Sequence, residues 1–145
     1  MSLQNATAQM GMLPAHPPRF DTERFVVVPL QPAKARELLE VLLCDPLLAE
    51  QLPWLADKSA DGGRSEALLA SMQCAAGTAI IWGIVERARA ACIGAVIARH
   101  SLEGIDVEVL CASQFFGQGV ADEAGEPAMA WLDAAMEVTL LPLDT

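Results

Sequence analysis

The chain has 145 residues, 53% of them hydrophobic, and a formal net charge of −10. That length and apolar content suit one globular domain able to bury a core, and the charge excludes a sequence-independent grip on nucleic acid or on an anionic membrane, since both need Lys and Arg. Apolar runs such as Ala79–Val85 and Ile93–Ala98 are too short to span a bilayer, and Met1–Pro18 lacks a basic start and an apolar centre, so a soluble, cytoplasmic protein is expected.

Residues 1–18 mix Gln, Asn, Gly and Pro without periodicity, which predicts a flexible tail ahead of a single domain over 19–145. Arg24–Leu30 (RFVVVPL) is short and β-branched and reads as a strand, with Pro29 at its end or on an edge. A helix should follow, with Pro32 in its first turn and Ala35, Leu38, Leu39, Leu42 and Leu43 along one face. Asp45-Pro46 interrupts it, Leu47–Leu52 makes a further helical turn, and Lys58–Gly63 (KSADGG) reads as a loop. A second short helix spans Ser65–Met72. Thr78–Glu86 and Ala91–Arg99 then form a hairpin through Arg87–Ala90.

In the next strand Ile105, Val107, Val109 and Cys111 alternate with Asp106, Glu108 and Leu110, giving one apolar and one partly polar face. Gly117-Gln118-Gly119 is a turn, and Ala128–Val138 is helical with Met129, Leu132 and Met136 on one face. The helix is expected to start late, with Pro127 in its first turn, because Gly125 and Pro127 inside a helix would cost about 1 and 3 kcal/mol. The order of elements predicts an α+β fold with a mainly antiparallel sheet and flanking helices. Cys44, Cys74, Cys92 and Cys111 have no C-x-x-C pair and read as buried thiols, so no metal site is expected. Trp54, Trp82 and Trp131 read as core anchors.

One segment points to chemistry. Around Phe116-Gly117-Gln118-Gly119-Val120-Ala121 two glycines let the backbone approach a ligand, and a helix starting after them would aim unpaired N–H groups at a phosphate. The same glycines could simply make a strand-to-helix turn. Against an anion site, no Lys or Arg follows Arg99, and the remainder of the chain is acidic.

Five signatures in order resemble one family. Thr22-Glu23-Arg24 with Val26–Leu30 is similar to an opening T-E-R-L-x-L-R-P-L strand, and Leu52-Pro53-Trp54 to a helix-ending L-P-W. Trp82–Glu86 with Ile93-Gly94 resembles a W-x-I…I-G hairpin, Asp106–Cys111 an E-I-G-Y-x-L strand, and Phe115–Ala124 the segment Y-W-G-x-G-Y-A-T-E-A. Together they resemble the GNAT N-acetyltransferases, in the branch of ribosomal-protein N-terminal acetyltransferases. The resemblance implies a GNAT-like fold that uses acetyl-CoA as cosubstrate. The backbone of Val109, Leu110 and Cys111 would pair with the pantetheine arm, and Phe116, Gly117, Gln118, Gly119, Val120 and Ala121 would surround the pyrophosphate. Asp106, aligned with the family's strand glutamate, is the first choice for the base that deprotonates the amine, and Glu108 the second. A solvated strand face is the other reading of both.

Departures from the pattern accompany these matches. Phe116 stands where many relatives carry Arg or Gln, Asp122 stands where they carry Thr, and the chain contains no Tyr to protonate the leaving thiolate. Relatives also continue into a further strand, helix and hairpin, which this chain is expected to lack. An open sheet edge would then remain and recruit a second copy or a partner chain. The sequence therefore predicts an N-acetyltransferase for a small amine or a protein N-terminus. The alternative is a catalytically idle GNAT-like binding or oligomerisation module.

Overall fold

The computed structural model of the chain describes residues 13–102 and 104–140, with side chains described as far as residue 136. Its strands are β1 (Phe20–Asp21), β2 (Phe25–Pro29), β3 (Ala79–Glu86), β4 (Ala91–Ser101) and β5 (Gly104–Cys111), and its helices are α1 (Pro32–Leu42), α2 (Pro46–Glu50), α3 (Ala60–Ala76) and α4 (Val120–Leu140). The strands form one sheet in the order β1-β2-β3-β4-β5, with every pair antiparallel.

Helices cover both faces of this sheet. On one side Ala35, Leu39 and Leu42 of α1, Leu48 of α2 and Ala67 and Ala70 of α3 pack with Ile81, Ala95, Ile97 and Leu110. On the other, Val120, Ala124, Ala128 and Leu132 of α4 pack with Phe25, Val27, Trp82, Ile84 and Val96. The alternation of neighbouring strand residues between the two clusters follows from the two-residue period of a strand. Trp82 anchors the α4 side: it is fully buried, its Nε1–H donates to Pro18 O at 3.0 Å, and Trp131 meets it edge-on at 6.1 Å between centroids.

Several expectations are corrected. The predicted loop Lys58–Gly63 is largely the start of α3, whose N-cap Ser59 accepts a hydrogen bond from Gly62 N–H. Its glycines are packing residues, since a Cβ on Gly62 would lie 2.0 Å from Asp57 O. The last helix begins at Val120 rather than near Pro127, and carries Gly125 and Pro127 inside it. A Cβ on Gly125 would lie 2.8 Å from Val109 Cγ2, so glycine lets α4 approach β5 closely. Met129 of this helix is half exposed, whereas Leu132 is buried. Cys44 and Cys92 are exposed rather than buried, whereas Cys74 and Cys111 are half-buried and pack against the two cores. Residues 1–12 of the predicted tail lie outside the described residues; within its remainder, Leu13 is buried and donates its N–H to Gly77 O at 2.9 Å. Among the described residues no helix is long and apolar enough to cross a membrane, and no His, Cys, Asp or Glu cluster could hold a metal ion.

Candidate functional site

β5 pairs with β4 along one edge only, and among the described residues its other edge carries no strand. Such an edge presents unpaired amide and carbonyl groups to a chain-like ligand. Beyond Cys111 the backbone makes a short 3-10 turn over Ser113–Phe115, then Gly117 and Gly119 adopt φ of 78° and 75°. An L side chain is strained at those angles, so glycine permits the tight entry into α4. The first N–H groups of α4 have no acceptor within the helix and point, with its positive dipole end, toward this turn.

β5, the turn and the start of α4 enclose one side of an open cleft of about 490 Å³, and Leu48, Gln51 and Leu52 close the other. Of the residues singled out in the sequence, Glu108, Val109, Leu110, Cys111, Phe116, Gly117, Gly119, Val120 and Ala121 line it. Gln118 does not. Its N–H is donated to Phe115 O at 3.3 Å and its side-chain amide to Gln114 O at 3.2 Å. Asp106 faces a second cavity of about 550 Å³, with Trp54, Ile97, Arg99, Ile105 and Val107; Glu108 borders both.

The two carboxylates sit in different surroundings. Asp106 is exposed and has no hydrogen-bond or ion-pair partner among the described residues. Glu108 is half-buried and accepts a hydrogen bond from Trp54 Nε1–H at 2.8 Å. Trp54 is therefore a site residue as much as a core anchor. Its segment is fixed by Lys58, whose Nζ donates to the carbonyls of Ala49, Leu52 and Leu55 at 2.9, 2.9 and 3.1 Å. The ammonium thus ties together three carbonyls of the turn that follows α2, two of which, Ala49 O and Leu52 O, also accept backbone N–H groups.

Two further contributors were not visible in the sequence. Asp45 caps α2 by accepting from Leu47 and Leu48 N–H, and its Oδ2 also accepts from Ser113 N–H at 2.7 Å, tying the turn after β5 to the opposite wall of the cleft. Burial pushes the Asp45 carboxyl up, but these hydrogen bonds outweigh it and hold it below the ordinary value. Burial, and then the Asp45 charge, push the Cys111 thiol up, so it is not a thiolate near neutrality.

Arg24 is the second. A Cβ on Gly119 would lie 3.7 Å from Arg24 Nη2, so a guanidinium from the start of β2 stands beside the glycine turn. Arg24 Nε donates to Glu123 Oε1 at 2.7 Å, while Arg24 N–H and Thr22 Oγ1 donate to Glu123 Oε2 at 2.8 and 2.6 Å. Burial raises the Glu123 carboxyl, but the Thr22 and Arg24 bonds prevail and lower it. No local pattern announces a pair separated by almost one hundred residues; opposite charges in the T-E-R and A-D-E segments were the only signal.

The arrangement suits a ligand with an extended amide-bearing arm and a diphosphate. Backbone along β5, two glycines free of side chains, a helix N-terminus and one nearby cation fit such a group. Asp122, which also lines the cleft, opposes it by charge.

Residues 24–141 match the family model described as an acetyltransferase (GNAT) domain. No curated protein matches the chain. Among solved structures it is similar to a GNAT-family acetyltransferase from Bacillus anthracis, with 12% identity and a TM-score of 0.57 over 83% of this chain and 69% of that one. It is also similar to a ribosomal-protein-S5-alanine acetyltransferase from Vibrio fischeri, with 16% identity and a TM-score of 0.52 over 82% and 69% of the two chains. A third likeness is to a ribosomal L7/L12 α-N-protein acetyltransferase in complex with coenzyme A, with 13% identity and a TM-score of 0.55 over 78% and 66%.

Proposed function

Because the chain belongs to the GNAT acetyltransferase family and has its fold, we propose that it is an acetyl-CoA-dependent N-acetyltransferase acting on a small amine or a protein N-terminus. The family uses acetyl-CoA, and the observation that carries the reading is the convergence on one cleft of the β5 edge, which carries no strand among the described residues, the Gly117–Gly119 turn and the start of α4. The pantetheine arm would lie along Val109–Cys111, and the N–H groups of Gly119, Val120 and Ala121 would receive the pyrophosphate beside Arg24.

Acetyl-CoA supplies the thioester whose carbonyl carbon the amine attacks. The C–N bond forms, the C–S bond breaks, and the amine loses a proton that a nearby carboxylate must take. Asp106 suits that task because its oxygens are uncommitted, whereas one oxygen of Glu108 is held by Trp54. Glu108 borders both cavities and would orient the amine between them.

Calorimetry at low salt tests the reading. Acetyl-CoA should bind saturably, Gly119→Glu should abolish binding by placing a carboxylate in the turn, and Asp122→Asn should tighten it by removing an opposing charge. Failure of the unsubstituted protein to bind acetyl-CoA at millimolar concentration would overturn the proposal.

A further inference from the structure

The cavity on the far side of Glu108 has an uncommon arrangement of charge. Arg99 and Asp106 are directly opposed across the β4–β5 pair and both line the same cavity of about 550 Å³. Opposite charges so placed in a sheet ordinarily pair. Here they do not. The Arg99 guanidinium lies over the Trp54 ring at 5.4 Å, its buried Nε has no hydrogen-bond partner, and Asp106 has none either among the described residues.

The structure also contains the reason. Trp54 is fixed by its hydrogen bond to Glu108, at 2.8 Å, and by the turn that Lys58 holds. A fixed indole offers a guanidinium a cation–π contact that competes with a solvent-exposed cross-strand ion pair, which contributes little by itself. Glu108, Trp54 and Arg99 therefore form a relay that draws the cation to one wall of the cavity and leaves the carboxylate of Asp106 at the other. With no carboxylate paired to it among the described residues, the Arg99 guanidinium is available to the cavity it lines, and a guanidinium binds a carboxylate through two parallel N–H bonds.

We propose that this cavity is a zwitterion site: it takes a small amine that also carries a carboxylate, as a free amino acid does, with the carboxylate on Arg99 and the ammonium facing Asp106. Ile97 and the Trp54 ring supply an apolar wall for the rest of the molecule. The identification of this ligand as the acetyl acceptor rests on the acetyltransferase reading above; the binding selectivity does not. Arg99 is thus a specificity-determining residue, and Trp54 a positioning residue that acts through it.

The Trp54 indole N–H provides a readout independent of acetyl-CoA. Leucine, 3-methylbutylamine and 4-methylpentanoate are titrated into the full-length protein, and the indole resonance of Trp54, assigned by its loss in Trp54→Phe, is followed by NMR. Leucine should shift it saturably and bind at least tenfold more tightly than either compound lacking one charge. Arg99→Gln should reduce leucine to the affinity of the amine, while Asp106→Asn should weaken leucine and amine together. Equal affinity for leucine and the amine in the unsubstituted protein, or no binding of any of the three, would overturn the proposal without reference to any variant's folding. Loss of acetyl-CoA binding with retained leucine selectivity would instead remove the acetyltransferase reading and leave the zwitterion site standing.

Discussion

Replacing Gly94 with Ala should destabilise the protein by about 1–3 kcal/mol, the usual cost of forcing a methyl group into a filled space. The added Cβ would lie 2.3 Å from Leu110 O, 3.1 Å from Cys111 Cα and 3.3 Å from Cys111 Cβ. Ordinary contacts fall near 3.5–4.0 Å, so the two strands must separate locally by about 1 Å. Because the closest atom belongs to the backbone, no rotamer change relieves the overlap, and the β4–β5 pairing at Gly94↔Cys111 has to open. Alanine gains roughly 0.5–1 kcal/mol over glycine within a strand, which offsets part of this cost but not all. Gly83→Ala is the matched control: its Cβ would meet only side-chain ends, Cys92 Sγ at 3.2 Å and Leu30 Cδ1 at 3.3 Å. Urea denaturation of the two variants and the unsubstituted protein measures the difference. The acetyl-CoA affinity of Gly94→Ala should also fall, since Leu110 and Cys111 line the cleft. A Gly94→Ala protein as stable as the original, or no less stable than Gly83→Ala, would refute the reasoning.

Gly125→Ala should cost about 1 kcal/mol despite alanine's helical advantage of similar size, because Val109 Cγ2 would stand 2.8 Å from the new methyl; the loss should disappear in a Val109→Ala background, as a double-mutant cycle of thermal midpoints would show. Acid should destabilise the fold through Asp45 and Glu123, whose folded values lie below the ordinary 3.8 and 4.5. The unfolded chain then binds more protons in that window, so this stability is present above the ordinary values and lost as pH falls through the folded ones. Thermal midpoints measured from about pH 6 to about pH 3 should fall less steeply in Asp45→Asn with Glu123→Gln than in the original protein.

The strands were legible because their alternation is local: Ile105, Val107 and Val109 against Asp106 and Glu108 placed two carboxylates on one face of β5, and the glycine turn was readable from composition. What the sequence hid depends on close packing between distant segments. Gly62 and Gly63 suggested a loop, yet they admit the backbone of Asp57 and the Leu43 side chain against α3. Gly125 and Pro127 suggested a late helix, yet α4 runs through both, because its contact with Val109 and its buried Ala124, Ala128 and Leu132 outweigh two unfavourable propensities. A helix packed along three buried turns tolerates local costs that would end an isolated one.

That earlier start of α4 changes the electrostatic argument about the cleft. Read along the chain, an acidic third without Lys or Arg is a poor place for a diphosphate, and a helix beginning at Pro127 would aim its N-terminus elsewhere. In three dimensions α4 begins at Val120, immediately after Gly119, and brings its unpaired N–H groups to the turn. Glu123, one of the two acids in its first turn, is spent on holding Arg24, so its charge is balanced while Arg24 Nη2 stands near Gly119. Asp122 is then the acid left opposing an anion beside the turn, while Glu108 lines the same cleft from β5. The charge deficit of the linear sequence thus reduces to Asp122 beside the turn and Glu108 on β5, and the affinity gained in Asp122→Asn measures how much of it acts at the turn.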